Sequence, residues 1–324
     1  MNPTQQGIQD RKSVRVFLDQ PVTPAMKDQL LEAAFQAPTA GCQQLYTILD
    51  ITDPERKARL ADLCDHQPFI ATAPVVLVFL ADCARWPRVY QEAGCQPRPA
   101  GAGDLFLAVA DACIAAQNVV VAAQSLGLGS CYIGDILENC EQVRQELALP
   151  AQVVPAAMLV IGWPTRQQQQ RKKPVRFARN YIVAENQYPT FTGEQHRQAL
   201  ENRAARGGNE TFDFDQWVKA FEQRKYGSVS SGEMARSAGE YRKDFLKKAA
   251  PPPASPSPGG FVFSYKRKNL FALRLAVPGR RYPDRLTPAA YCGPAGKHTD
   301  QQSQSDQQNT AQHRQKRQPG AKQI

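Results

Sequence analysis

The chain has 324 residues, 40 Lys or Arg against 30 Asp or Glu and a formal net charge of +10, enough length for one large domain or two small ones around a substantial core. The charge is uneven: residues 249–324 carry twelve Lys or Arg and three Asp, so +9 of the total, and the first 248 residues carry +1. The high pI of about 9.3 therefore belongs to the tail and does not make the rest a nucleic-acid binder.

Taken in chain order, Thr23-Pro24 opens a helix over 24–35, with Pro in its first turn and Leu30, Leu31 and Ala34 on one face. A loop over 37–44 leads to a strand at 46–51, whose alternation marks a half-buried element. A short helix follows at 55–64 and a buried Val- and Leu-rich strand at 75–80. Residues 82–103, with three Pro and three Gly, read as a long loop. Asp104 then caps a helix over 105–126 that stops at Gly127. This helix is apolar nearly all round, so it is either the central core helix of its own domain or one covered by a second subunit. Another buried strand spans 153–161 before Gly162-Trp163-Pro164, and helices are expected at 212–226 and 231–248, the second opened by a capping box of Ser230 and Glu233. There are no internal repeats, and the irregular alternation of elements predicts a sheet that is not purely parallel.

The eight cysteines lack the Cys-x-x-Cys spacing of a zinc or dithiol site, and several sit in apolar surroundings. With a polar N-terminus and no apolar run expected to reach bilayer-spanning length, a reduced cytoplasmic protein with no membrane contact is the natural setting. No paired carboxylates, nucleophile–base set or metal-ligand cluster stands out, and His66 reads as a surface or helix-end residue. The run Arg11-Lys12-Ser13-Val14-Arg15-Val16-Phe17 places three cations and a hydroxyl within five residues, ahead of the helix at 24–35. Such a run is either solvated surface or a phosphate site, since arginine offers a planar fork of charge-assisted donors. Beyond 248 the chain turns Pro- and Ser-rich, then Gln-rich and basic, a composition that predicts disorder. That tail is either a basic arm for nucleic acid or anionic membrane, or a read-through or frameshifted end without function.

Several segments recur in a fixed order: RKSVRVF, APTAGCQQ, QPFIATAPVVLVF, VADACIAAQNVVVAAQSLGLGSCYIG, VVPAAMLVIGWP, KKPVRF and ENQY. Together they resemble the nitroreductase family of FMN-dependent oxidoreductases over residues 1–248. The resemblance implies an α+β fold, a three-layer α/β/α sandwich forming an intertwined homodimer, with FMN at the subunit interface and the apolar helix in the dimer core. It also implies NADPH or NADH as co-substrate.

The same resemblance distributes FMN ligands along the chain. Arg11, Ser13 and Arg15 match phosphate and ribityl ligands, and Lys12 stands where the family often has a basic residue or His. Lys173 and Arg176 fall in a phosphate clamp, with a spacing one residue longer than the family's Lys-x-Arg. Pro38, Thr39 and Ala40 match a loop that crosses to the partner's flavin, with Gln44 a candidate in the same loop. Cys42 occupies a place where Asn is common, and a thiol is a weaker donor than an amide. Gln67 falls where the family sets an amide near the flavin pyrimidine edge. Tyr132, Ile133 and Gly134 match a segment lying against the ring, with backbone N–H groups reaching N5. Arg203 and Arg206 are either contacts for an NADPH 2′-phosphate or part of a solvated turn.

With the flavin carrying the chemistry, no catalytic side chain is needed. Hydride is expected to pass from NAD(P)H through flavin N5 to a nitroaromatic or quinone-like acceptor by ping-pong kinetics. The alternative from another class is a flavin-binding carrier or sensor without turnover.

Overall fold

The structure, a computed structural model, describes residues 1–246; the basic tail expected at 249–324 lies outside the described residues. Its centre is a four-stranded sheet of β1 (Tyr46–Asp50), β2 (Val75–Asp82), β3 (Gly129–Ile133) and β4 (Val153–Gly162), in the order β1-β2-β4-β3. Every pair is antiparallel. The helices are α1 (Pro3–Asp10), α2 (Pro24–Phe35), α3 (Pro54–Leu63), α4 (Phe69–Thr72), α5 (Arg85–Glu92), α6 (Ala102–Ser125), α7 (Cys140–Glu146), α8 (Arg166–Gln170), α9 (Arg179–Ile182), α10 (Gly193–Arg206), α11 (Phe214–Lys225) and α12 (Val229–Lys243).

The pleat of β2 sorts its side chains between two cores. Val76, Val78 and Leu80 join Leu60, Ala61, Ile70 and Val143 of α3, α4 and α7. Val75, Leu77 and Phe79 face the opposite way, onto Leu30, Ala34, Val119 and Val120 of α2 and α6. The sheet is thus the middle layer of an α/β/α sandwich. Because β2 is buried on both faces, its sequence is a continuous apolar run instead of an alternating one.

Thr23 caps α2 by accepting from Met26 N, as its Thr-Pro start predicts. Elsewhere the structure departs from expectation. The helix expected at 105 begins at Ala102, because Asp104 is its third residue and reaches back to accept from Gly101 N at 2.7 Å. With 24 residues and a mean hydropathy of 1.9, α6 is long and apolar enough to cross a bilayer, contrary to the expectation that no run would be. Eight of its residues are nevertheless buried, most against α2 and the sheet. Residues 82–103 contain helix α5, whose apolar stripe is only Trp86, Val89 and Tyr90 amid three Pro and three Gly; none of its residues is buried, and Pro87 is tolerated in a first turn whose N–H groups have no helical partner. The cap of α12 is Ser228, not Ser230, and the expected capping-box Glu233 instead accepts from Asn139 N and Ser237 Oγ.

All seven cysteines among the described residues are free. Burial pushes the Cys64 thiol up, and that of Cys83 up to about 12, which keeps both protonated and unreactive.

Residues 11–18 are extended. Val14 N donates to Ser130 O at 3.0 Å and Leu18 N to Trp163 O at 2.8 Å, which ties the segment to the ends of β3 and β4. The approach is close at Gly129, where an added Cβ would lie 2.6 Å from Val14 Cγ2. Gly129→Ala should therefore push residues 11–15 off the sheet edge at a cost of about 1–3 kcal/mol. A thermal melt checks this, with a fall of roughly 2–4 °C expected per kcal/mol for a domain of this size; an unchanged melting temperature would refute the close-contact argument.

Candidate functional site

Extended backbone sends alternate side chains to opposite faces, and this divides the basic run. Val14 is buried, packed onto Gly129. Lys12 shares its face and donates to the carbonyls of Gln169 and Arg171. Arg11, Ser13 and Arg15 share the other face. Arg11 and Arg15 lie close enough to Cys131 to act on its thiol, which burial raises and they pull down. The Ser13 carbonyl accepts from Arg171.

Lys173 and Arg176 come to the same place. The Lys173 ammonium donates to Ile8 O at 3.2 Å and Gln9 O at 2.7 Å, carbonyls in the last turn of α1. Burial lowers its pKa, and the neighbouring charges of Arg11 and Arg176 lower it further. Among the described residues no ion pair includes Arg11, Lys12, Arg15, Lys173 or Arg176. Cations held near one another without carboxylate partners form a site that favours an anion.

Edge strand β3 adjoins this cluster. Tyr132 is 37% exposed and its hydroxyl donates to Gln117 Oε1 of α6 at 3.3 Å. Burial raises its pKa, opposed by the nearby charge of Arg11. Ile133 turns its side chain into the core, so only its backbone faces outward. Gly134 is exposed, with no atom within 4 Å of the point where a Cβ would stand. The Gln67 amide reaches this segment, donating to Asp135 Oδ2 and to Cys64 O, both at 2.8 Å.

Residues 38–44 are held elsewhere, by Asp111. This carboxylate, 4% exposed, accepts from the Thr39 hydroxyl, from Ala40 N at 3.1 Å and from Leu45 N at 3.2 Å. Thr39 Oγ1 accepts in turn from Gln44 N at 2.8 Å. Gly41, Cys42 and Gln44 are left-handed, with φ of 58°, 57° and 51°, while Pro38 and Cys42 are exposed. Asp111 and Gln117 both lie on α6, about 9 Å apart along the axis and about 240° around it. The loop and the Tyr132 edge therefore meet α6 at different heights and on different faces, so a single chain presents two separate groups of the expected residues.

Asp111 was not singled out from the sequence, although it is the one charged residue within 105–126. Nor was the pair Asp135 and Glu138, which corrects the expectation that no paired carboxylates stand out: a 3-10 turn over Asp135–Leu137 brings them together. His66 is exposed at the end of α3, beside Asp62, as expected. Arg203 lies over the rings of Phe177 and Trp217 at 4.5 and 5.2 Å, and Arg206 donates to Arg176 O at 3.3 Å.

A model of the nitroreductase family matches residues 8–163. The FMN reductase (NADPH) of Bacillus subtilis is 34% identical over 196 residues, 60% of this chain and 78% of that one. The oxygen-insensitive NADPH nitroreductase of Salmonella typhimurium is 34% identical over 214 residues, 64% of this chain and 86% of that one. Among solved structures, nitroreductase A from Vibrio parahaemolyticus superposes with a TM-score of 0.62 at 27% identity, over 74% of this chain and 98% of that one.

Proposed function

The chain belongs to the nitroreductase family of FMN-dependent oxidoreductases, and from that premise we propose that it carries electrons from NAD(P)H to a flat, electron-poor acceptor, a nitroaromatic or a quinone, in ping-pong fashion. FMN, when bound, supplies the two-electron chemistry. The observation that carries the reading is the set of unpaired cations on 11–15 and 173–176 beside the open edge at 132–134.

These residues fit FMN. Arg11, Arg15 and Arg176 provide guanidinium donors for the phosphate, and Ser13 a hydroxyl on the same face. Lys173, held by the α1 carbonyls, adds charge at a fixed point. Tyr132 and the backbone of Ile133 and Gly134 offer a surface for the ring, and Gln67 a side chain at its edge. The loop over 38–44 completes the site when it comes from a second copy. Three exposed apolar residues of α6, Phe106, Leu107 and Ile114, support a homodimer, as does the absence of buried residues in α10 and α11. The same reading places the protein in the cytoplasm.

Visible absorbance of protein purified without added flavin, followed by anaerobic NADPH, tests the proposal. A yellow protein with about one FMN per subunit that bleaches on NADPH, and turns over repeatedly with a quinone, is the expected result. Colourless protein that takes up no FMN would overturn it, and yellow protein that neither NADPH nor NADH bleaches would indicate a carrier.

A further inference from the structure

Behind Gln67 lies a group of acids. Glu138 is 3% exposed, and its Oε1 has no hydrogen-bond partner. Asp135 faces it from the same turn, and Asp65 and Cys64 from the end of α3. Glu233 approaches from α12, where Arg236 holds it at 2.8 Å, while β4, which packs on the same turn, brings no titratable group. Burial, then the charges of Asp135 and Asp65, push the Glu138 carboxyl up from 4.5 to about 7, and the neighbouring Asp135 favours its protonated form.

The bonds of Gln67 fix which way its amide points. Both N–H groups are taken by acceptors, Cys64 O and Asp135 Oδ2, so the side chain offers only Oε1 outward. An acceptor at that point suits an N–H donor on a ligand, such as the imide N–H of a flavin pyrimidine.

We propose that Asp135 and Glu138 are positioning residues for the flavin: a neutral Glu138 lets Asp135 stay against Gln67, and loss of the Glu138 proton releases the Gln67 amide. The proposal rests on the FMN reading above. When Glu138 ionises, two carboxylates meet in a setting that screens them poorly. Glu138 is buried and cannot withdraw, so half-exposed Asp135 turns away and Gln67 loses its fixed orientation.

Two measurements test this. The folded-state value of Glu138 is raised, so ionising it opposes folding. That penalty is absent below pH 4.5, grows through the window up to about 7 and is constant above it. The apoprotein should therefore lose melting temperature across that window relative to E138Q.

FMN affinity, read by fluorescence quenching from pH 6 to 8.5, should weaken about fivefold in the wild type, the equivalent of one neutral hydrogen bond. E138Q, whose amide stays neutral beside Asp135 at every pH, should remain tight throughout. D135A should be weaker at all these values, with no step near pH 7. The phosphate's own ionisation near pH 6 acts on all three proteins alike, so the comparison between them is the readout. Parallel profiles for wild type and E138Q would overturn the proposal even if both bind FMN. Failure of the wild type to bind FMN at any pH would overturn the cofactor reading as well.

Discussion

Replacing Arg11 and Arg176 together with Ala is expected to weaken FMN binding by roughly two to four orders of magnitude and to leave riboflavin binding unchanged. A charge-assisted hydrogen bond contributes about 1.5–3 kcal/mol, so two guanidinium contacts to one phosphate contribute about 3–6 kcal/mol, at 1.4 kcal/mol per tenfold. Neither residue takes part in an ion pair among the described residues, and both depress the pKa of Lys173. Removing them therefore takes away repulsion as well as ligand contacts, and the apoprotein should melt no lower than the wild type. Wild-type affinity for FMN, but not for riboflavin, should fall with added salt, because the phosphate term is a screened charge interaction. Titration of both flavins against both proteins decides the matter. If the wild type binds riboflavin as tightly as FMN, the cations are not a phosphate site.

How far the site was legible depends on whether a residue acts through its neighbours in sequence or in space. Arg11, Ser13 and Arg15 share a face because extended backbone alternates, a local rule. Lys12 obeys the same rule and is turned toward the carbonyls of Gln169 and Arg171, partners about 160 residues away that no local pattern reveals. The run 75–80 reads as a buried strand because both of its faces lie in cores. Helix α5 left a fainter mark, because its stripe of Trp86, Val89 and Tyr90 is barely two turns long and lies among three Pro and three Gly. The Ser230 and Glu233 spacing matched a capping box, yet the cap forms two residues earlier, at Ser228, since Glu233 has stronger partners in Arg236 and Asn139 N. Buried acids were the hardest to read. Asp111 and Glu138 stand in ordinary sequence surroundings, and each gains its role from a loop or helix far along the chain.

Asp111→Ala is expected to lower stability by about 3 kcal/mol and to abolish FMN binding without touching any cation. The carboxylate accepts from the Thr39 hydroxyl and from Ala40 N and Leu45 N, and each donor left without a partner costs about 1–3 kcal/mol, the lower figure where water can enter. Cys42 and Gln44 are held in left-handed backbone, which persists only while its surroundings impose it. The freed loop should relax, and faster hydrogen exchange over 38–45 would show it. Asp111→Asn keeps one accepting oxygen and should fall between.

The two lesions also reveal where the loop acts. An Asp111→Ala protomer keeps its cations, and an Arg11→Ala/Arg176→Ala protomer keeps its loop. If the loop over 38–44 serves the partner's flavin, a mixed dimer of the two has one intact site and one doubly damaged site. At an FMN concentration that fills neither parent protein, mixing the two should then restore about one FMN per mixed dimer. If the loop served its own protomer, no combination of the two would bind, and the shared site would be refuted while the phosphate assignment stood.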